Sequence, residues 1–367
     1  AHRLAGNAFV KARRYGKAID HLSRFRTAVP SYGPTYGALC SAYLLNKEYE
    51  QAVNVAREAR EDGFQSRRLL ISQLRALREL NRKNDAYAVS LKILDDYGPE
   101  AHSLLFVAQW RNREGSFAEA LEQADKLLQL TPSNGRAQLE KARSLVGLEK
   151  PEEAVLPLTQ ATVLLPGEPE AHAMLGDIQF DRKDYTKAAK NYQEALVAWS
   201  GDLEYSLKAA EAYQRAGNDK AALQVMLSIE DRHGGDRRVN EKIGLLQYAL
   251  NDTAGAREHL EKCLRGTVEN SRVFLSLGAI YTSRKNHLKA IRMYEQAMPL
   301  VEDKNTCRIA LAKLYLDKGE PRNAVAQLEK IIAENERYPE VYRYLGDAWD
   351  DAGEPEKALD YYRKQRE

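Results

Sequence analysis

The sequence predicts an all-α solenoid of eleven helix–turn–helix repeats, and three observations predict it. Alanine recurs at Ala18, Ala52, Ala86, Ala120, Ala154, Ala188, Ala222, Ala256, Ala290, Ala324 and Ala358, a step of 34 residues held without insertion or deletion. Twelve residues before each stands a second series, Gly6, Cys40, Leu74, Ala108, Ala142, Gly176, Ala210, Gly244, Gly278, Ala312 and Gly346, small in all but Leu74. Breakers fall at fixed places between the two series. A sustained period of this length marks a repeat array rather than a single packed domain.

Each element of the repeat has its own reason. A small residue twelve places before another lets two helices cross closely, since neither presents a bulky side chain at the contact. Three places after the small series, aromatics recur at Phe9, Tyr43, Tyr213, Tyr281, Tyr315 and Trp349. Apolar places fall at helical spacing; in one repeat Leu175, Ile178, Ala188, Tyr192, Ala195 and Leu196 form the core-facing set. The turn between the helices carries Gly115, Gly217, Gly319 and Gly353, where a helix end calls for positive φ. Pro151, Pro321 and Pro355 follow at the first turn of the second helix, where proline forfeits no hydrogen bond. Pro30, Gly98, Pro132, Pro166, Ser200 and Gly234 close many repeats. In this frame the repeats run 1–32, 33–66, 67–100, 101–134, 135–168, 169–202, 203–236, 237–270, 271–304, 305–338 and 339–367, one continuous array over 1–367. The first lacks two opening residues and the last stops inside its second helix, so the chain reads as a segment of something longer. The repeat at 67–100, with Leu74 at a small place, is the one expected to pack loosely and fray.

Composition narrows the function. Lys and Arg number 55 against 53 Asp and Glu, a formal charge of +2, which argues against nucleic acid or a membrane surface as the partner of the whole chain. No apolar run approaches the roughly 18 residues of a membrane span, so no direct membrane insertion is expected. Three scattered cysteines, Cys40, Cys263 and Cys307, suit neither a disulfide framework nor a metal knuckle. They favour the cytoplasm while leaving the periplasm open. No phosphate loop, dinucleotide fingerprint, HExxH or GxSxG stands in the chain, and its seven histidines are dispersed. No enzyme, cofactor or metal is expected.

The stretch Glu168-Pro-Glu-Ala-His-Ala-Met-Leu-Gly-Asp, with Asp184-Tyr-Thr-Lys-Ala-Ala and Tyr192-Gln-Glu-Ala-Leu196, resembles the tetratricopeptide repeat, and the resemblance covers the whole chain. The pentatricopeptide family has a 35-residue unit and does not keep this frame. The resemblance implies a right-handed superhelix whose first helices line a concave surface that binds extended peptides or helices.

Carried over place by place, the inward positions of the first five repeats hold Arg3, Lys11, Arg68, Arg75, Arg78, Arg113, Arg136 and Arg143 against Glu79 and Glu140. An acidic or C-terminal-carboxylate segment is therefore expected against Arg3, Asn7, Arg68, Ser72, Arg75, Arg78, Arg113, Arg136 and Arg143, because the guanidinium fork pairs carboxylates bidentately. A weaker acidic and apolar site is expected around Asp177, Asp181, Phe180, Tyr248, Asp347 and Asp350. Segregated charge of this kind orients a partner; the bland alternative is a solvated charged face. Inward apolar residues, among them Phe106, Leu139, Met174, Leu207, Leu275 and Ile309, read as packing between neighbouring first helices. A chaperone-tail clamp is similar at Arg3, Asn7 and Arg68 but fails at Ala38 and Ser72. An asparagine ladder, as in glycosyltransferase-linked arrays, is missing: its places hold Leu4, Ala38, Ser72, Phe106, Glu140 and Met174.

The expectation is thus a non-enzymatic scaffold or adaptor that binds a peptide or helix of a protein partner within a multi-protein complex. The alternatives are a structural subunit that self-associates or docks through exposed stack ends, a periplasmic scaffold of bacterial envelope or exopolysaccharide-export machinery, and a regulatory array fused to an enzyme.

Overall fold

The computed structural model describes residues 1–334 and 339–365. The repeat boundary expected at 338 and the end of the last repeat at 367 lie outside the described residues. The described residues are helical throughout, without a strand.

The chain divides into two compact units, Ala1–Arg182 and Lys183–Glu367. The first pairs α1 (His2–Lys11) with α2 (Tyr15–Ala28), α3 (Pro34–Leu45) with α4 (Tyr49–Glu61), α5 (Arg67–Glu79) with α6 (Lys83–Tyr97), α7 (Ala101–Arg113) with α8 (Phe117–Leu130) and α9 (Gly135–Gly147) with α10 (Pro151–Leu164), and α11 (Pro169–Asp181) closes it. The second opens on α12 (Tyr185–Ala198). It continues with α13 (Leu203–Arg215) against α14 (Asp219–Leu227) and the short α15 (Glu230–His233), α16 (Arg237–Ala249) with α17 (Thr253–Cys263), α18 (Ser271–Ser283) with α19 (His287–Ala297), α20 (Asn305–Asp317) with α21 (Pro321–Glu334), and α22 (Pro339–Asp351) with α23 (Pro355–Lys364). Within each unit the second helix of a repeat also packs on the first helix of the next, as α2 does on α3 and α21 on α22, so each unit is a helical solenoid.

The 34-residue step is a packing rule. All eleven alanines of the first series are buried, none more than 2 % exposed. Opposite the small series, sixteen residues on, stands a set that fills whatever space its partner leaves: Leu22 opposite Gly6, Ala56 opposite Cys40, Leu260 opposite Gly244, Tyr294 opposite Gly278 and Tyr362 opposite Gly346. A Cβ at Gly244 would lie 2.7 Å from Leu260 Cγ and 3.2 Å from its backbone nitrogen. At Leu74 the residue sixteen places on is the small Ser90, and both are fully buried.

The turns repeat as closely. Arg13, Lys47, Asn81, Gly115, Glu149, Lys183, Gly217, Asn251, Lys285, Gly319 and Gly353 all have φ between 56° and 79°. In ten of these turns the following residue donates its backbone N–H five residues back, as Glu48 does to Tyr43 O at 3.0 Å and Glu354 to Trp349 O at 2.9 Å. This is a Schellman closure, and the accepting carbonyl falls at the place of the aromatic series. The seven that are not glycine are the only non-glycine residues with positive φ among those described.

Helix starts are capped in register. Whereas α3, α11 and α20 start without a side-chain cap, at six of the described repeat ends the last residue caps the next first helix, with Ser66 Oγ accepting from Leu69 N at 3.3 Å and Asp202 Oδ1 from Tyr205 N at 2.8 Å. Glu100 takes this place for α7, 7 % exposed, its Oε2 accepting from Ser103 N at 2.8 Å and Ser103 Oγ at 2.9 Å. Burial would raise Glu100, but hydrogen bonds from His102 and Ser103 outweigh it and hold the carboxyl down at about 2.

Candidate functional site

The first helices of the first unit present the expected basic residues, and the structure sorts them. Arg68, Arg75, Arg113 and Arg136 are exposed, and among the described residues none has a carboxylate partner. Arg78 is half-buried, its guanidinium 5.5 Å from the Phe106 ring centroid. Burial, then the charge of Arg136, push the Arg78 guanidinium below its usual range; Glu79 pulls the other way, and Arg75 adds a smaller push. Two like charges thus act on Arg78 against the single carboxylate of Glu79. Asn7 is exposed on α1.

Three other candidates have side chains that are already used. Arg3 Nη1 donates to Tyr32 Oη at 2.8 Å and its guanidinium lies 5.2 Å over the same ring, so the side chain folds back on its own repeat. Ser72 is 6 % exposed, and its Oγ is 2.9 Å from Ser41 Oγ, so it faces α3 instead of solvent. Arg143 is bound on two sides. Its Nε donates to Glu170 Oε1 at 2.7 Å, its Nη2 reaches the other oxygen of Glu170, and its Nη1 reaches Glu140. Glu140 is 1 % exposed, and Asn112 Nδ2 also donates to it at 2.9 Å. Burial would lower the Arg143 guanidinium, but Glu170 and Glu140 hold it well above the usual range. Arg143 thus serves a buried ionic network between repeats, not a ligand.

A cleft of about 520 Å³ lies between α3 and α5, lined by Ser41, Leu44 and Leu45 on one side and Arg68, Ile71 and Arg75 on the other. Leu45 is 41 % exposed there. Sequence reasoning placed the arginines but missed the leucine between them; its inward place in the second repeat was the available signal.

The acidic and apolar candidates fall on different helices, α11 in the first unit and α16 and α22 in the second. Asp181 lies exposed at the end of α11, while Asp177 and Phe180 on the same helix are half-buried and already engaged. Tyr248 is half-buried on α16. Asp347 accepts from Tyr362 Oη at 2.8 Å, which with burial pushes that phenol up to about 12; Asp350 is exposed nearby. Phe106 and Leu139 are buried, while Leu207, Leu275 and Ile309 are half-buried between neighbouring helices.

A groove of about 830 Å³ in the second unit lies among α13, α16 and α18. Its charges interleave: Glu211 accepts from Arg215 Nε at 2.9 Å and from Lys242, and Arg238 Nη1 reaches Glu204 at 2.8 Å. Burial would raise the Glu211 carboxyl, but Lys242 and Arg215 hold it below the usual range.

Elsewhere Cys40 and Cys263 are buried, and burial pushes their thiols up to about 12 and about 11, far from a reactive thiolate. Among the described residues no three His, Cys, Asp or Glu converge as a metal site, and no helix is long and apolar enough to cross a membrane.

A sequence profile described as tetratricopeptide repeat matches residues 107–169, 139–202, 173–237 and 309–366, together more than half of the chain. The chain is 26 % identical over 257 residues to cellulose synthase operon protein C of Xanthomonas axonopodis pv. citri (strain 306), a match over 69 % of this chain and 14 % of that protein. It is 24 % identical over 204 residues to type IV pilus assembly protein PilF of Pseudomonas aeruginosa, over 52 % of this chain and 77 % of that one. Among solved structures, YrrB, described as a TPR protein with an unusual peptide-binding site, aligns at a TM-score of 0.45 and 16 % identity, over 50 % of this chain and 95 % of that chain.

Proposed function

The chain belongs to the tetratricopeptide repeat family, and from that premise we propose that it is a non-enzymatic scaffold that holds an anionic segment of a protein partner in the groove of its first unit. The observation that carries this reading is the run Arg68, Arg75, Arg78, Arg113 and Arg136 on successive first helices, without a carboxylate partner among the described residues. A guanidinium cluster left without counter-charge repels itself, and an anionic ligand relieves that repulsion. The unbroken 34-residue step across Arg182 and Lys183 supports reading the eleven repeats as one array.

The test is affinity capture from native lysate with the wild type and with Arg75→Glu/Arg78→Glu, after thermal melts show that both fold alike. A discrete partner lost with the variant supports the reading; a partner held equally by both removes the basic groove from it.

A second reading, a scaffold within bacterial envelope or exopolysaccharide-export machinery, is supported by the similarity to a cellulose synthase operon protein and a type IV pilus assembly protein. It predicts an export or lipoprotein signal in the gene upstream of Ala1 and recovery of the protein in the envelope fraction. A purely cytosolic distribution would exclude it.

A further inference from the structure

We infer that the cleft between α3 and α5 reads an internal acidic segment built around one large apolar side chain, rather than the end of a chain; this rests on the scaffold reading above. A terminal carboxylate needs donors gathered about one point, and the candidates for that role are spent. Ser72 Oγ faces Ser41 Oγ at 2.9 Å, Arg3 donates to Tyr32, and Ala38 offers no polar atom.

Arg67, also at the cleft, donates to Pro99 O at 2.9 Å, which leaves Arg68 and Arg75 as two separated cations with apolar side chains between them. Arg68 and Arg75 are seven residues apart on α5, two turns, a rise of about 10 Å. Ile71 lies between them on the same helix, and Leu44 and Leu45 face it from α3 across the cleft of about 520 Å³. Three residues of polyproline II span about 9 Å and return the side chain to the same face. Carboxylates three places apart in that conformation can therefore meet Arg68 and Arg75 while an apolar side chain between them turns toward Leu45 on the opposite wall. Leu45, 41 % exposed, is the apolar surface such a side chain would cover. Arg78, one turn beyond Arg75 and stacked 5.5 Å over Phe106, extends the cationic run toward Arg136, so further acidic residues on that side strengthen binding.

The probe is the fluorescein-labelled, C-terminally amidated peptide Gly-Ser-Glu-Leu-Ser-Glu-Ser-Gly, followed by anisotropy at low and high salt. Saturable, salt-sensitive binding is expected. Alanine in place of the peptide's leucine, or Leu45→Ser in the protein, weakens it about tenfold. Arg68→Glu/Arg75→Glu weakens it about a hundredfold, with a melt that matches the wild type. Equal binding of the alanine peptide overturns the inference, since the groove would then be a general polyanion site. So does binding confined to the same peptide with a free terminal carboxylate. If no peptide binds while a native partner is still captured and is lost with Arg75→Glu/Arg78→Glu, the inference falls and the scaffold reading stands. Retention of the partner by that double variant removes the scaffold reading itself.

Discussion

The groove of the first unit and the groove of the second are built from the same inward places, yet they treat charge in opposite ways. Around α5 the guanidinium groups of Arg68, Arg75 and Arg78 stand without carboxylate partners among the described residues, beside exposed Leu45. Around α13 and α16 the central charges are paired: Glu211 serves Arg215 and Lys242, and Arg238 reaches Glu204, while Asp219 and Arg272 stand outside these pairs. A surface whose charges satisfy one another has little to gain from a charged ligand, because the ligand must first displace bonds that already exist. The first groove gains from every anion that arrives. Nominal charge at the inward places does not show this; pairing does.

The largest effect should come from breaking a pair, not from removing a free charge. Arg143→Met leaves Glu140, 1 % exposed, without its counter-charge and should cost the first unit about 3 kcal/mol in urea unfolding. Arg113→Gln, where nothing is paired, should leave stability within about 0.5 kcal/mol. Equal costs for the two would erase the distinction between paired and free arginines. Next, Gly244→Ala should destabilise the second unit by about 2 kcal/mol, since the added Cβ meets Leu260 at 2.7 Å; an unchanged melt would show that the contact yields.

Acid separates the regions further. The folded Glu100 carboxyl is held at about 2 against an ordinary 4.5. Its contribution is present above the ordinary value and is lost as pH falls from about 4.5 through 2. Order-of-magnitude linkage gives about 3 kcal/mol for the first unit, and Glu100→Gln should flatten that part of the stability–pH curve. A curve that keeps its shape in the variant would assign the acid sensitivity to other carboxylates. The smallest effect is a gain: Lys47→Gly or Lys285→Gly, relieving a left-handed turn in each unit, should stabilise by about 0.5 kcal/mol, read from the urea midpoint.

The fold was legible because its rule is periodic. The alanine series and its small partner series marked the helix crossings, and Gly115, Gly217, Gly319 and Gly353 marked four turns. Of the other seven turns, two hold Asn81 and Asn251, which suit the left-handed region. Five hold Arg, Lys or Glu, residue types that carry no turn signal of their own and are given away only by their place in the frame. In the site, the frame gave the inward places but not the partners. Arg143 finds Glu170 27 residues on, in the next repeat, and Ser72 finds Ser41 31 residues back. Those contacts depend on side-chain reach across helices, which charge counting does not contain.

Those seven left-handed turns have one more consequence. They recur at intervals of 34 residues or multiples of it, in the same backbone shape, away from the groove-lining helices. Exchanging each in turn for glycine would apply the same small perturbation at a graded series of positions along the chain. In a stack whose stability is a sum over neighbours, the responses would rise and fall with the local coupling. Their profile would trace where one cooperative block gives way to the next. The chain carries, in effect, its own vernier.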